Sequence, residues 1–242
     1  MNLIIDAGNT RVKVAVFERS RLVEVVIIDK KRFLSEIKKI VKKHEIFTTI
    51  LSSVSFISEK KLEKLKNTLN LVILSSSTNV PFTNLYETPK TLGVDRIALV
   101  SAAVKKFPNK NILIIDAGTC ITFDFVNDKS AYFGGAISPG VEMRYKALHT
   151  FTSKLPIVEK NYPKNFIGNN TIESINSGVV NGVVQEIEGV INQYKNKFSD
   201  LTVVLTGGDT NFLAKQLKSS IFAHQNFLLE GLNEILIFNK NK

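Results

Sequence analysis

The apolar positions of this chain change period repeatedly, between the runs typical of strands and the i, i+3, i+4 spacing of helices. The first run, Leu3-Ile4-Ile5, ends in Asp6-Ala7-Gly8, and residues 12–17 form a second run. The chain therefore opens on a β-hairpin whose turn carries Asp and Gly. A third strand is expected at about 22–28. Residues 30–43 place Phe33, Ile37, Ile40 and Val41 on one face, an amphipathic helix. The pattern then predicts a buried strand over 47–54, a helix over 58–69 and a strand over 71–74. A serine run, Pro81 and Pro89 make 75–90 a connecting loop. Residues 91–106 are helical with Ile97, Val100, Ala103 and Val104 inward, and Phe107-Pro108-Asn109 ends that helix.

The second half restarts the first. Leu113-Ile114-Ile115-Asp116-Ala117-Gly118 matches Leu3 to Gly8 residue for residue, at an offset of 110 residues. That period is far too long for a solenoid and reads as a duplicated domain. Strands are again expected after the turn, at 122–126 and 131–137, and Pro139-Gly140 starts a helix over 141–149. A long helix over 171–198, a strand over 201–206 and a turn at Gly207-Gly208 into another helix complete the reading. Hairpins mixed with α/β crossovers imply an α/β protein of two layers facing a central cleft, divided into 1–108 and 109–242.

Composition narrows the function classes. The 242 residues are 44% hydrophobic and 22% charged, an ordinary globular balance. Asp6 interrupts the first apolar run with no basic segment before it, which argues against a secretory signal. No apolar stretch approaches the roughly 18 residues that span a bilayer. A soluble, cytoplasmic protein without a membrane partner is expected. The formal charge of +10 invites a nucleic-acid reading. However, arginine occurs only at positions 11, 19, 21, 32, 96 and 144. The lysines fall in short groups such as Lys38-Lys39, Lys42-Lys43 and Lys60-Lys61, without the aromatic interleaving of a single-strand groove. Solvated helix faces account for them, and no nucleic-acid partner is expected.

The repeated turn carries the candidate chemistry. A carboxylate meets a polyphosphate through Mg²⁺, which takes one or two carboxylates and keeps much of its water. Gly8 removes the Cβ that would hold the backbone away from phosphates. Asn9 and Thr10 offer donors, and Lys13 offers a compensating charge. An ordinary hairpin turn would explain one copy; identical flanks around two argue for a site. In the second copy Asn9-Thr10 becomes Thr119-Cys120 and, at constant offset, Phe123 stands where Lys13 stood. One half thus holds the metal–phosphate end, with Asp116 and Thr119 completing the cleft. Neither a Walker P-loop nor a dinucleotide fingerprint is present. His44, His149 and His224 lack metal-ligand spacing, and Cys120 reads as a small core residue.

Six motifs, in order, resemble those of type III pantothenate kinases, members of the sugar kinase, Hsp70 and actin superfamily of duplicated ribonuclease-H-like domains. They are Asp-Ala-Gly-Asn-Thr-Arg-Val-Lys at 6–13, Gly-Val-Asp-Arg at 93–96 and Asp-Ala-Gly-Thr at 116–119. Gly-Gly-Ala-Ile-Ser-Pro-Gly at 134–140, Ile167-Gly168 with Thr171 and Ser177-Gly178, and Thr-Gly-Gly-Asp at 206–209 follow. The resemblance implies that Asp6, Ala7, Gly8, Asn9, Thr10, Arg11, Val12 and Lys13 bind the ATP phosphates, with Asp6 acting on Mg²⁺. It implies that Asp95 is the general base toward the pantothenate hydroxyl. Tyr86, Gly93, Val94, Arg96 and Thr171 would help bind pantothenate, whose carboxylate suits a guanidinium fork. Asp116 would hold a monovalent cation, K⁺ or NH₄⁺, and Thr119 would contact ATP. A homodimer is also implied. Plainer roles exist: Asp95 as a helix-dipole partner, Tyr86 as a loop aromatic over the core, and Thr171 as a helix cap. The rival functions are a non-catalytic transcriptional accessory protein and another small-molecule kinase of the same superfamily.

Overall fold

The computed structural model describes residues 1–8, 12–53 and 57–240. The described chain packs as two compact units: residues 1–109 with 130–133 and 226–242, and residues 110–129 with 134–225.

The first unit begins with β1 (Asn2–Ala7), β2 (Val12–Glu18) and β3 (Arg21–Ile28), an antiparallel meander. A 3₁₀ turn at Lys30–Arg32 takes the start of the expected first helix, and α1 runs from Phe33–Lys43. Asp29 explains the turn, because its side chain accepts from the Lys31 amide at 2.7 Å. Next come β4 (Thr48–Ser53), α2 (Glu59–Lys66), β5 (Leu71–Ile73), the short β6 (Thr83–Asn84) and α3 (Val94–Lys106). The sheet order is β3-β2-β1-β4-β5, with β1–β4 and β4–β5 parallel. Alternation in β1 divides its side chains cleanly. Leu3, Ile5 and Ala7 join Phe33, Ile37 and Ile40 of α1 and Leu65 of α2 in one apolar cluster. Asn2, Ile4 and Asp6 face the other way, the side on which α3 and the final helix pack.

The second unit repeats the hairpin as β7 (Ile112–Ala117) and β8 (Cys120–Val126), continued by β9 (Ala131–Pro139) and α4 (Val141–Thr150). It then adds α5 (Thr171–Lys197), β10 (Thr202–Thr206), the single-turn α6 (Thr210–Leu213) and β11 (Phe222–Ala223). Strand order is β11-β10-β7-β8-β9-β6; β6 pairs in parallel with Ala131 and Tyr132, which belong to the first unit. One sheet face packs Leu113, Ile115, Ala117, Phe123 and Leu205 against Tyr145 of α4 and Val180, Val183 and Ile187 of α5. Tyr145 completes that layer by donating its hydroxyl to Asn176 Oδ1 at 2.7 Å.

The last helix, α7 (Phe227–Lys240), returns to the first unit and lies along α3. Gly231 allows the approach: a Cβ there would lie 1.8 Å from the Ala98 carbonyl oxygen. Asn233, almost wholly buried, accepts from Asn2 Nδ2 at 2.8 Å and so ties α7 to the start of β1. Gly231→Ala should therefore destabilise the protein by about 2–3 kcal/mol, as overpacking does. Thermal unfolding followed by circular dichroism should show the midpoint falling by roughly 5–10 °C.

Candidate active site

The first unit assembles its polar groups where β1 runs out. Asp6 pairs with Lys13 across the hairpin and with Ser52 of β4 on its other side, so three polar residues stand in a row on one face. Burial pushes the Asp6 carboxyl up to about 6; Lys13 works against this, and the charge of Asp95 adds to it. Asp6 and Asp95 therefore share one electrostatic neighbourhood, although 89 positions separate them in sequence. Ala7 and Val12 send their side chains into the apolar layer, which leaves only their backbone for a ligand. Gly8 is half-buried at the end of the strand. Asn9, Thr10 and Arg11 lie outside the described residues.

Asp95 owes its position to the residues before it. A 3₁₀ turn at Pro89–Thr91 delays the helix, and Gly93 caps α3 with φ −58° and ψ 134°. In the first turn, Asp95 Oδ1 accepts from the Arg96 amide at 2.8 Å. A Cβ on residue 93 would lie 2.4 Å from that oxygen. The glycine of Gly-Val-Asp-Arg thus makes room for the carboxylate to fold over the helix start. Arg96 is buried, and its guanidinium lies 5.6 Å from the Tyr86 ring centroid. Tyr86 stacks on Tyr132 at 6.2 Å, its amide donating to Asn84 Oδ1 at 3.0 Å. Tyr86 and Arg96 therefore form one packed wall beside Asp95, and Val94 is half-buried between Gly93 and Asp95.

In the second unit, Asp116 ends β7 as Asp6 ends β1, but its partners differ. Thr122 of β8 and Thr206 of β10 pair with it, giving three oxygen-bearing side chains across three strands. The residue standing where Lys13 stands is thus Thr122, and the expected Phe123 is a core residue. The cause is a turn one residue shorter, which a constant offset cannot register. Gly207 has φ +98°, and a Cβ on it would lie 2.4 Å from Asp116 Oδ1. The turn itself, with exposed Thr119, is braced by the Gly140 amide donating to the Thr119 carbonyl at 3.1 Å. Cys120 is only half-buried at the start of β8 and is not the core residue expected.

Thr171 opens α5, but Asn170 is the cap: its Oδ1 accepts from the Glu173 amide at 3.0 Å. That leaves Thr171 exposed beside Arg144, Ser174 and Ile175 in an open groove of about 720 Å³. Gly168 seats the preceding loop on α5, since a Cβ there would lie 2.3 Å from the Ser174 amide. Two features had no sequence signal beyond the Thr-Gly-Gly-Asp motif. Lys160 Nζ donates to Asp209 Oδ1 at 2.5 Å and lies 5.1 Å from the Phe212 ring, on which Tyr162 stacks. Of the histidines, His44 pairs with Glu24 at 2.6 Å, and His149 Nδ1 lies 2.8 Å from the Leu155 carbonyl oxygen. Among the described residues, no three His, Cys, Asp or Glu side chains gather to hold a metal. A single carboxylate supplemented by phosphate oxygens suits the hard, largely hydrated Mg²⁺ ion.

Residues 2–193 match the family model for type III pantothenate kinase. The chain belongs to the type III pantothenate kinase family. A type III pantothenate kinase from Christiangramia forsetii is 51% identical over 243 residues, covering 100% of both chains. One from Bacteroides fragilis is 46% identical, again over 100% of both. Among solved structures, a protein described as a Baf family transcriptional activator, from Campylobacter jejuni, superimposes with a TM-score of 0.65. It is 22% identical and covers 99% of this chain and 100% of its own. A glucokinase from an Antarctic psychrotroph gives a TM-score of 0.53 at 11% identity, covering 98% of each chain. At such identities these two show the fold alone, an α/β architecture shared over nearly the whole chain. The family's motifs at Asp6, Gly93 to Arg96, Asp116 and Gly207 all fall at strand ends or helix starts.

Proposed function

We propose that this protein transfers the γ-phosphoryl group of ATP to the hydroxyl of pantothenate, giving ADP and 4′-phosphopantothenate, the first step toward coenzyme A. The observation that carries the reading is the pair Asp6 and Asp95, brought by β1 and α3 into one electrostatic neighbourhood of the first unit. Asp6 and Lys13, with the backbone from Gly8 to Val12 including Asn9, Thr10 and Arg11, take the phosphates. Mg²⁺ bound with ATP supplies charge neutralisation on the phosphate oxygens and raises no need for a dedicated protein cage. Asp95 accepts the proton of the attacking hydroxyl as its oxygen bonds to phosphorus and the bond to ADP breaks. Tyr86, Gly93, Val94 and Arg96 form the acceptor wall beside that base; Thr171, as a pantothenate contact, and Thr119, as an ATP contact, keep the roles that their motifs carry in the family.

Asp116, with the Thr122 and Thr206 hydroxyls beside it, offers the hard oxygen donors that suit a monovalent cation, K⁺ or NH₄⁺. Replacing K⁺ by Na⁺ should depress turnover, and Asp116→Asn should weaken the apparent K⁺ affinity by about 10–100-fold. A K⁺ titration of initial rate, at saturating ATP and pantothenate, checks both. The second unit also exposes Phe151, Phe166, Ile167 and Ile172, at 86%, 82%, 78% and 52%. Apolar side chains so exposed support a homodimer, which sedimentation would detect. We place the duplicated halves at 1–108 and 109–242 and the enzyme in the cytoplasm. No described helix is long and apolar enough to cross a membrane.

The test is pantothenate-dependent ADP release by purified protein with ATP, Mg²⁺ and K⁺, read in a coupled assay. Sugars and glycerol should give no release above background. An acceptor other than pantothenate giving the larger kcat/KM would replace this reading by another kinase specificity.

A further inference from the structure

Ser52 is an out-of-place polar residue in the first unit. It is fully buried, in the strand next to β1, and its Oγ has no hydrogen-bond partner among the described residues. A buried hydroxyl left unpaired carries a free-energy cost that an alanine would not. The residue is also too small to be filling apolar space. Its register partner is Asp6, and in a parallel pair such partners project from the same face of the sheet. Neighbouring strands lie about 4.8 Å apart, a gap that a serine hydroxyl and an aspartate carboxylate can close with one hydrogen bond. On the far side of Asp6 stands Lys13, so the carboxylate has a cation on one flank and an unused donor on the other.

Thr49 supplies the internal comparison. It lies in the same strand, is equally buried, and its hydroxyl is likewise without a partner among the described residues. It pairs with Leu3, however, on the face that packs against α1 and α2, where its methyl group is what matters. A valine would serve there. No apolar residue would serve beside Asp6.

We propose that Ser52 is a positioning residue for phosphoryl transfer, whose hydroxyl donates the hydrogen bond that fixes the Asp6 carboxylate when the metal-bound nucleotide is in place. This rests on the reading of Asp6 as the metal–phosphate carboxylate. A fixed carboxylate meets the ion in one orientation, so the contribution falls on nucleotide binding and leaves the acceptor untouched. Active-site hydrogen bonds of this kind are commonly long or absent before the ligand arrives.

The test compares Ser52→Ala, Ser52→Cys, Ser52→Thr, Thr49→Val and Asp6→Asn in the full-length protein. Calorimetric binding of the Mg²⁺ complex of a non-hydrolysable ATP analogue is measured beside steady-state kinetics. Ser52→Ala should weaken analogue binding and raise the KM for ATP by about tenfold, with the KM for pantothenate unchanged. Ser52→Cys, of similar volume with a weak donor, should do the same and covers an unstable alanine variant. Ser52→Thr should restore most of the affinity, and Thr49→Val should match wild type. Wild-type binding by both Ser52→Ala and Ser52→Cys while Asp6→Asn is impaired overturns the proposal alone. Equal losses in Thr49→Val also overturn it, by showing general loosening of β4. Undiminished binding by Asp6→Asn removes the metal–phosphate reading, and this proposal with it.

Discussion

Asp95→Asn is expected to lower pantothenate-dependent turnover by about 10²–10⁴-fold, the range for losing a positioned general base. The substitution keeps the shape of the side chain, and the carboxamide that replaces the carboxylate retains a carbonyl oxygen able to accept from the Arg96 amide. The helix start should therefore survive, and the thermal midpoint should move little. Lost in the variant is the ability to take a proton from the acceptor hydroxyl. With the phosphates assigned to Asp6 and Lys13 as proposed, affinity for the nucleotide should stay near wild type or rise slightly, since Asp95 and Asp6 repel. Stopped-flow or coupled kinetics, with analogue binding as the control, separates the two. A variant that binds nucleotide and retains more than a tenth of its turnover would exclude Asp95 as the base.

The second large effect comes from Asp6→Asn, which should trade activity for stability. On the proposed role of Asp6 toward Mg²⁺, kcat/KM for ATP should fall by about 10²–10³-fold, as when one preorganised charge-stabilising group is removed. The nucleotide-free protein should nevertheless become more stable, in a pH-dependent way. Burial raises the folded-state value from 3.8 to about 6, so between those pH values the folded protein binds more protons than the unfolded chain. Stability contributed by protonated Asp6 is thus complete below pH 3.8 and lost as pH rises through about 6. The full difference is at most about 3 kcal/mol, and partial access to water should leave ~1–2 kcal/mol. Asp6→Asn should then raise the thermal midpoint by roughly 2–6 °C at pH 8 and leave it unchanged near pH 3.5. Equal midpoints at both pH values would show that the carboxylate is not strained in the free protein.

Local signals carried most of the first-order picture. The hairpins at 3–17 and 113–126 were legible because the same apolar run, Leu-Ile-Ile, opens each and the same Asp-Ala-Gly ends that run. The groups of residues around Asp95 and Asp116 were legible as motifs in the resemblance. Less local facts were not. The repeat offset is 110 along β1 and β7 but 109 along β2 and β8, because hairpin register depends on turn length. Asn170 and Thr171 are both good capping types in adjacent positions, and only the backbone geometry decides between them. That Arg96 would be buried beside Tyr86 depends on how the intervening turn folds back, and that α7 would return to pack on α3 depends on contacts between distant parts of the chain. Ser52 carries no sequence signal of its own; the pairing that sets it beside Asp6, 46 positions earlier, comes from the fold.

The central claim is that this site moves phosphate from ATP to pantothenate. Incubating the purified enzyme with γ-labelled ATP, Mg²⁺, K⁺ and pantothenate, then separating the products by mass, tests it directly. The label should appear on 4′-phosphopantothenate in amounts matching the ADP formed, and its rate of appearance should fall by about 10²–10⁴-fold with Asp95→Asn. Label recovered only as inorganic phosphate, or on no pantothenate-derived product despite nucleotide binding, would contradict the account.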